Sequence, residues 1–179
     1  MLDAVQNRRS RSQVTAIAPS HAELLPLVAA AARAADHAAL RPWRLIELRD
    51  DARDRLGQAF VEAAGLTGGA AFKQAGKPLR AGLLIAIVAC RRPSEKVEEW
   101  EQDAAAAGVA HLLTLLLSEA GWGVMWRTGP HTRADAVHRV HGLTETEQLL
   151  GWLYVGAVPD DCKPVRRAPI DASEHLSAL

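Results

Sequence analysis

Two short stretches, far apart in the chain, carry the side chains best suited to chemistry. Asn7-Arg8-Arg9-Ser10-Arg11-Ser12 packs three arginines and two serines into six residues. Guanidinium forks and hydroxyls both donate hydrogen bonds to phosphate oxygens, so the stretch can cradle a phosphate. Gly121-Trp122-Gly123-Val124-Met125-Trp126-Arg127-Thr128-Gly129 closes on an arginine and a hydroxyl, a second grip for an anionic group. Taken singly, the first also reads as a solvated basic arm and the second as a solvated turn. Neither stretch holds a nucleophile with a base beside it, so the chemistry they suggest is binding rather than proton transfer.

The elements that must position these residues follow from hydrophobic spacing. Gly121 suits the left-handed cap of a preceding helix. Val124, Met125 and Trp126 suit a short buried strand, with Arg127-Thr128-Gly129 emerging at its end, where ligand groups commonly sit. Met1 to Gln6 makes a short helix that delivers the arginine arm. Ser20-x-x-Glu23 is a capping box, and Leu24, Leu27, Val28, Ala31 and Ala32 continue it as a helix to about Arg33. Pro42 biases Arg41 to extended backbone, so Trp43 to Leu48 enters a strand. Asp50-Asp51 caps the next helix, with Leu56, Phe60 and Ala63 or Ala64 inward. Gly65 to Gly69 is a flexible link, and Phe72 to Gly76 a turn of helix before Pro78.

Leu83 to Cys90 is continuously apolar and rich in branched residues, the pattern of a central strand covered on both faces. Glu98 to Ala120 is one long helix, acidic at its start and apolar nearly all round from Ala104 to Leu117, which places it in a core or a subunit interface. Thr132-x-x-Asp135 starts a helix ending near Gly142, and Gln148 to Val158 is the last buried strand. The expected fold is α/β, an α+β sandwich with a central mixed sheet flanked by helices. Residues 1–179 form a single domain, with 160–179 a polar tail long enough to wrap a neighbouring subunit.

Composition narrows the function classes. Lys+Arg and Asp+Glu are both 21 among 179 residues, so no net field points to nucleic acid or a membrane surface. Five of the eight aromatic residues (Trp 5, Tyr 1, Phe 2) are tryptophan, which favours a few specific stacking sites. Cys90 and Cys162 are far apart, without a C-x-x-C pair, which argues against a disulfide scaffold or a cysteine zinc site. Cys90 reads as a small core hydrophobe. Met1 to Arg11 lacks the apolar core of a signal peptide, and the run Ala104 to Leu117 is too short to span a bilayer. The expected location is cytoplasmic.

Several motifs fail. Gly121-x-Gly123-x-x-Trp126 lacks the third glycine of the dinucleotide fingerprint and lies between helix and strand rather than strand and helix. Gly76-Lys77 is followed by Pro78, not Ser or Thr, so it is no P-loop. H-E-x-x-H and G-x-S-x-G are absent, and His138 and His141, without a third ligand, read as solvent-facing.

Taken together and in order, several stretches resemble the FMN-dependent nitroreductase family, in particular its small single-domain YdjA-like branch. They are Asn7-Arg8-Arg9-Ser10, Arg33 to Arg44 (RAADHAALRPWR), Val97 to Gln102 (VEEWEQ), Gly121 to Gly129 and Gly151-Trp152-Leu153-Tyr154-Val155-Gly156. Ala35 stands where that branch carries proline. The resemblance implies a homodimer with FMN at the subunit interface. Arg8, Arg9 and Ser10 would meet the flavin's phosphate, ribityl and pyrimidine side, and Trp126, Arg127 and Thr128 would complete the grip. Arg33 and His37 would come from the partner subunit, and Gly121, Trp122 and Gly123 would face the substrate or NAD(P)H region. It also implies a cofactor that carries the chemistry, taking electrons from NADH or NADPH and passing two of them, by a ping-pong course, to a nitroaromatic, quinone or similar electron-poor small molecule. The alternative is a flavin-binding storage or sensing protein with little turnover.

Overall fold

The computed structural model describes residues 2–161 and 170–178; Cys162 and the stretch 163–169 of the tail expected to reach a partner subunit lie outside them. In chain order the elements are α1 (Leu2–Asn7), α2 (His21–Ala31), β1 (Trp43–Leu48), α3 (Asp50–Ala64), α4 (Gly68–Ala75), β2 (Leu83–Cys90), α5 (Glu99–Glu119), β3 (Trp122–Arg127), α6 (Asp135–His141) and β4 (Glu147–Ala157). Among the described residues they build one four-stranded sheet in the order β1-β2-β4-β3.

The α+β sandwich expected from the sequence is present, but the sheet is antiparallel throughout rather than mixed. The reason lies in β4. Crossover through α5 leaves β2 and β3 parallel to each other, and β4 then inserts between them, antiparallel to both. The apolar alternation of β2 shows why its run is unbroken. Leu84, Ala86 and Val88 pack with Leu56 and Phe60 of α3 and Val137 of α6. Leu83, Ile85 and Ile87 pack with Val109, Leu113 and Leu117 of α5 and Leu24 of α2. Two covered faces demand apolar residues at every position.

Local expectations divide along physical lines. The Ser20–Glu23 capping box forms in full. A second capping box, between Glu98 and Glu101, starts α5. Asp50 and Asp51 fall inside the first turn of α3, with Arg49 at the cap; there they complement the helix dipole rather than cap it. Ala59 is buried in that helix, whereas Ala63 and Ala64 are exposed. Thr132 does not cap α6, because its hydroxyl donates to the Gly129 carbonyl at 2.8 Å and closes a separate 3-10 turn. The flexible link shrinks to three residues, since α4 already begins at Gly68.

A bulge in β4 shapes the sheet beside β3. Ile87 pairs with Gly151 and the next residue, Val88, with Leu149, so Leu150 is the extra residue. Leu149 therefore faces the α3 side, while Leu150 faces the α5 side. Gly151 takes φ +132°, and a Cβ there would lie 2.4 Å from the Arg127 carbonyl oxygen. The second glycine of the GWLYVG stretch, Gly156, admits the N-terminal segment instead, since a Cβ would meet the Thr15 carbonyl oxygen at 2.4 Å. Thr15 donates to the Ala157 carbonyl at 2.9 Å and Ala157 to that of Ile17 at 2.7 Å, which ties this segment onto the end of β4.

His141, expected at the surface, is 6% exposed. Its Nδ1 donates to the Val137 carbonyl at 2.7 Å and its Nε2 accepts from the Trp152 indole at 3.0 Å, which fixes a neutral ring with one tautomer. Burial holds its pKa below the usual histidine value. A histidine whose folded pKa is depressed binds more protons when unfolded, so its linkage raises stability with pH. The melting temperature should therefore fall as pH drops below about 6.5, the unperturbed value. A melting temperature that holds or climbs between pH 7.5 and 5.5 would contradict this assignment.

No helix among the described residues is long and apolar enough to cross a membrane.

Candidate functional site

The arginine arm and the Trp126–Gly129 stretch, separated by more than a hundred residues in sequence, meet at the outer edge of the sheet. β3 is an edge strand paired only with β4 among the described residues. The backbone N–H of Arg11 donates to the Val124 carbonyl at 2.9 Å and lays the N-terminal segment along that edge. In an extended strand the N–H and C=O of one residue point the same way and alternate along the chain. Val124 faces outward, so Trp126 does too, and no described residue takes its backbone N–H or C=O on that side. Arg8, Arg9 and Ser10 immediately precede the tether. Arg8 Nη1 donates to Ser10 Oγ at 3.5 Å, which keeps those two side chains together. Arg9 folds back instead, its Nη1 donating to the carbonyls of Gln6 and, at 2.9 Å, Arg8.

Side chains of β3 part to opposite faces. Trp126 packs on the α5 side, its ring edge-on to His111 with centroids 5.0 Å apart. Arg127 lies on the other face, its guanidinium carbon 5.1 Å from the Tyr154 ring centroid. There it enters a cavity of about 530 Å³ walled by Phe60, Met125, Trp152 and Tyr154, with Lys77 and Arg80 beside it and Thr128 to His131 at its rim. Trp126 borders this cavity as well, so all three residues of the Trp126–Arg127–Thr128 triplet line it, while the Trp126 ring packs toward α5. Lys77, Arg80 and Tyr154 are absent from the sequence-derived set, and the only hint of the first was a P-loop that fails at Pro78.

His37 and Arg33 stand apart from β3. His37 Nδ1 is 2.9 Å from Glu101 Oε2 near the start of α5, and Arg33 is exposed just past α2. Their loop is strained: Ala38, Ala39 and Arg41 have φ of +60°, +52° and +48°, although none is glycine. Arg41 is accordingly not extended before Pro42 as its sequence suggests; its N–H is held by the Asp36 carboxylate at 2.7 Å. Strain of this kind costs on the order of 1–3 kcal/mol per residue and gathers at functional segments. Of the remaining stretch, Gly121 is exposed with φ +87° and Trp122 is half-buried. Gly123 offers no surface to a ligand, because its Cβ position lies 2.6 Å from Val14 Cγ1.

Two other features are structural. A cavity of about 720 Å³ lies under the loop Arg91 to Val97, where buried Gln102 holds the Arg92 N–H and C=O at 2.8 and 2.9 Å. Cys90 is half-buried, its thiol directed at Glu147 Oε1 at 3.4 Å; burial and that carboxylate push it up to about 11, far from a reactive thiolate. Among the described residues no cluster of His, Cys, Asp and Glu could hold a metal ion.

Comparison with known proteins agrees with this architecture. The chain is 31% identical over 158 residues to YdjA of Escherichia coli strain K12, spanning 87% of this chain and 86% of that protein. It is similar in structure to a nitroreductase-like family protein from Bacillus cereus, with a TM-score of 0.85 at 22% identity over 99% of this chain and 95% of that one. The FMN- and NADPH-dependent nitroreductase NfnB from Sphigopyxis sp. strain HMH gives a TM-score of 0.79 at 17% identity, over 99% and 98% of the two chains. The model of the Nitroreductase family matches residues 5–157, the span that holds both the arginine arm and the β3 edge, and the chain belongs to that family.

Proposed function

We propose that this nitroreductase-family oxidoreductase binds FMN along the outer edge of β3 and uses NADH or NADPH to reduce flat, electron-poor acceptors such as nitroaromatics or quinones. YdjA carries an NAD(P)H nitroreductase name, and NfnB is described as FMN- and NADPH-dependent. The observation that carries the reading is the Arg11–Val124 tether, which brings Arg8 and Ser10 to the outer edge of β3, where no described residue takes the Trp126 backbone groups. The residues present fit the group. Arg8 and Ser10 suit a phosphate dianion, and the open backbone N–H and C=O of Trp126 suit the amide-like edge of the flavin's pyrimidine ring. Bound FMN supplies the two-electron transfer itself. The protein's share would be to hold the flavin through Arg8, Ser10 and the Trp126 backbone, with Thr128 nearby, and to admit donor and acceptor in turn. That shared access is the basis for ping-pong kinetics.

The assembly we infer is a homodimer, in which the strained His37 loop and Arg33 of one protomer would complete the site of the other. Trp100 at the start of α5 is 70% exposed and Phe72 of α4 85% exposed, large apolar side chains that association would cover. Light scattering on the purified chain tests this: a monomer at micromolar concentration contradicts it.

An absorbance spectrum before and after anaerobic NADH and NADPH tests the cofactor and the reaction together. A flavin spectrum that bleaches within the mixing time with at least one nucleotide is the expected result. A flavin that stays oxidised with both favours storage or sensing, and a protein that stays colourless after FMN addition overturns the reading.

A further inference from the structure

Between the arginine arm and α2, the chain crosses the sheet over a row of glycines. Gly123 of β3 pairs with Gly156 of β4, and the pairing of Leu83 with Val155 sets Gly82, just before β2, across from Gly156. The row thus spans three adjacent strands at one end of the sheet. Gly156 shares the α3-side face with Tyr154, two residues away, and Val14 packs against that same cluster. Each glycine meets a successive residue of the crossing segment. A Cβ on Gly123 would lie 2.6 Å from Val14 Cγ1, one on Gly156 2.4 Å from the Thr15 carbonyl oxygen, and one on Gly82 2.1 Å from that of Ala16. None of the three glycines has a positive φ. Backbone conformation therefore does not call for glycine here; the closeness of the strap does. Hydrogen bonds fix the strap along its course. The Arg11 N–H donates to the Val124 carbonyl ahead of the crossing, and Thr15 and Ile17 bracket Ala157 within it. Arg49 Nη2 then holds the Pro19 carbonyl at 2.6 Å, just before α2.

We propose, on the reading of the β3 edge as the FMN site, that Gly82, Gly123 and Gly156 are positioning residues for the flavin. They seat the Val14–Ala16 strap, and the seated strap sets where Arg8 and Ser10 stand on that edge. Gly123, which offers no surface to a ligand, thereby acts on binding through the arm and not by contact. The chain between them is short: Arg11, three residues before Val14, already bonds to the residue after Gly123. A methyl group at Gly123 or Gly156 has room only if the strap lifts, and a lifted strap loses the register that the Arg11–Val124 bond needs. Groups held in place before a ligand arrives bind it more tightly, because less freedom is lost on binding. An arm released from the slot keeps its charge and loses that advantage.

Gly123→Ala is the variant to make, because the atom it strikes is a side-chain methyl that Val14→Ala removes. In full-length, flavin-free protein, hydrogen exchange at the Arg11 and Thr15 amides should quicken about tenfold or more in G123A, while the amides of β2 keep their protection. The G123A/V14A double variant should restore slow exchange. FMN affinity, read by fluorescence quenching, should fall about tenfold in G123A and recover in G123A/V14A. Placed in an R8A/S10A background, G123A should cause no further loss, since the groups it displaces are gone. A merely structural role would lower the melting temperature without that dependence on Arg8 and Ser10. Arg11 and Thr15 amides that stay protected in G123A would overturn the proposal. So would a loss of FMN affinity that persists at full size in the R8A/S10A background or that V14A does not rescue. If R8A/S10A alone leaves FMN affinity intact, it is the flavin reading that fails, and the exchange measurement then decides the seating of the strap by itself.

Discussion

Gly151→Ala should cost about 3 kcal/mol or more of folding stability, in the range reserved for core clashes and forbidden backbone. Two separate penalties meet at this position. Its φ of +132° lies where side chains of L-residues clash with their own backbone, and an added Cβ would sit 2.4 Å from the Arg127 carbonyl oxygen and 2.8 Å from the Trp126 indole nitrogen. Neither neighbour can move cheaply. The carbonyl belongs to the β3–β4 ladder, where Arg127 pairs with Trp152, and the indole is wedged against α5. The change should therefore damage the β3 edge as well as the fold. Urea unfolding followed by circular dichroism measures it, with Gly65→Ala as the comparison. Gly65 also has positive φ, +58°, but nothing lies within 4 Å of its Cβ position, so only the backbone term of about 1 kcal/mol applies. Equal losses at the two sites would mean that the bulge yields and the clash has no force.

That contrast shows what a sequence can and cannot display. Apolar continuity from Leu83 to Cys90 announces a strand covered twice, and Ser20-x-x-Glu23 announces a helix start, because both are local patterns with one physical solution. The two ends of the candidate site were legible as anion-binding side chains, although each taken singly also reads as a solvated segment. What joins them was not. Arg11 reaches Val124 through a backbone hydrogen bond, and backbone groups carry no residue-type signal. The bulge at Leu150 is hidden for the same reason: an extra residue in a strand changes which face each side chain takes without changing the composition of the strand. Lys77 and Arg80 share one 3-10 turn, where they read as ordinary surface cations, and only the insertion of β4 between β2 and β3 brings Tyr154 beside them. His141 was misplaced for a related reason, since the Trp152 indole that makes its burial tolerable arrives from another element.

Arg8→Ala combined with Ser10→Ala should weaken FMN binding by about 10²- to 10³-fold. A hydrogen bond to a charged group contributes about 1.5–3 kcal/mol and a neutral one about 1, and each 1.4 kcal/mol is tenfold in affinity. Arg9→Ala should do less, although it lies between them. Its guanidinium is committed to the carbonyls of Gln6 and Arg8, so its loss frays the end of α1 before it removes a ligand contact. Titration of flavin-free protein, read by quenching of FMN fluorescence, gives the three affinities directly, and circular dichroism confirms that each variant is folded. The order matters more than the absolute values. If Arg9→Ala proves as damaging as the double change, the arm acts through its net charge and not through the geometry that the tether to Val124 imposes. If none of the variants loses affinity while the protein remains yellow, the flavin phosphate lies elsewhere, and the open edge of β3 serves a different ligand.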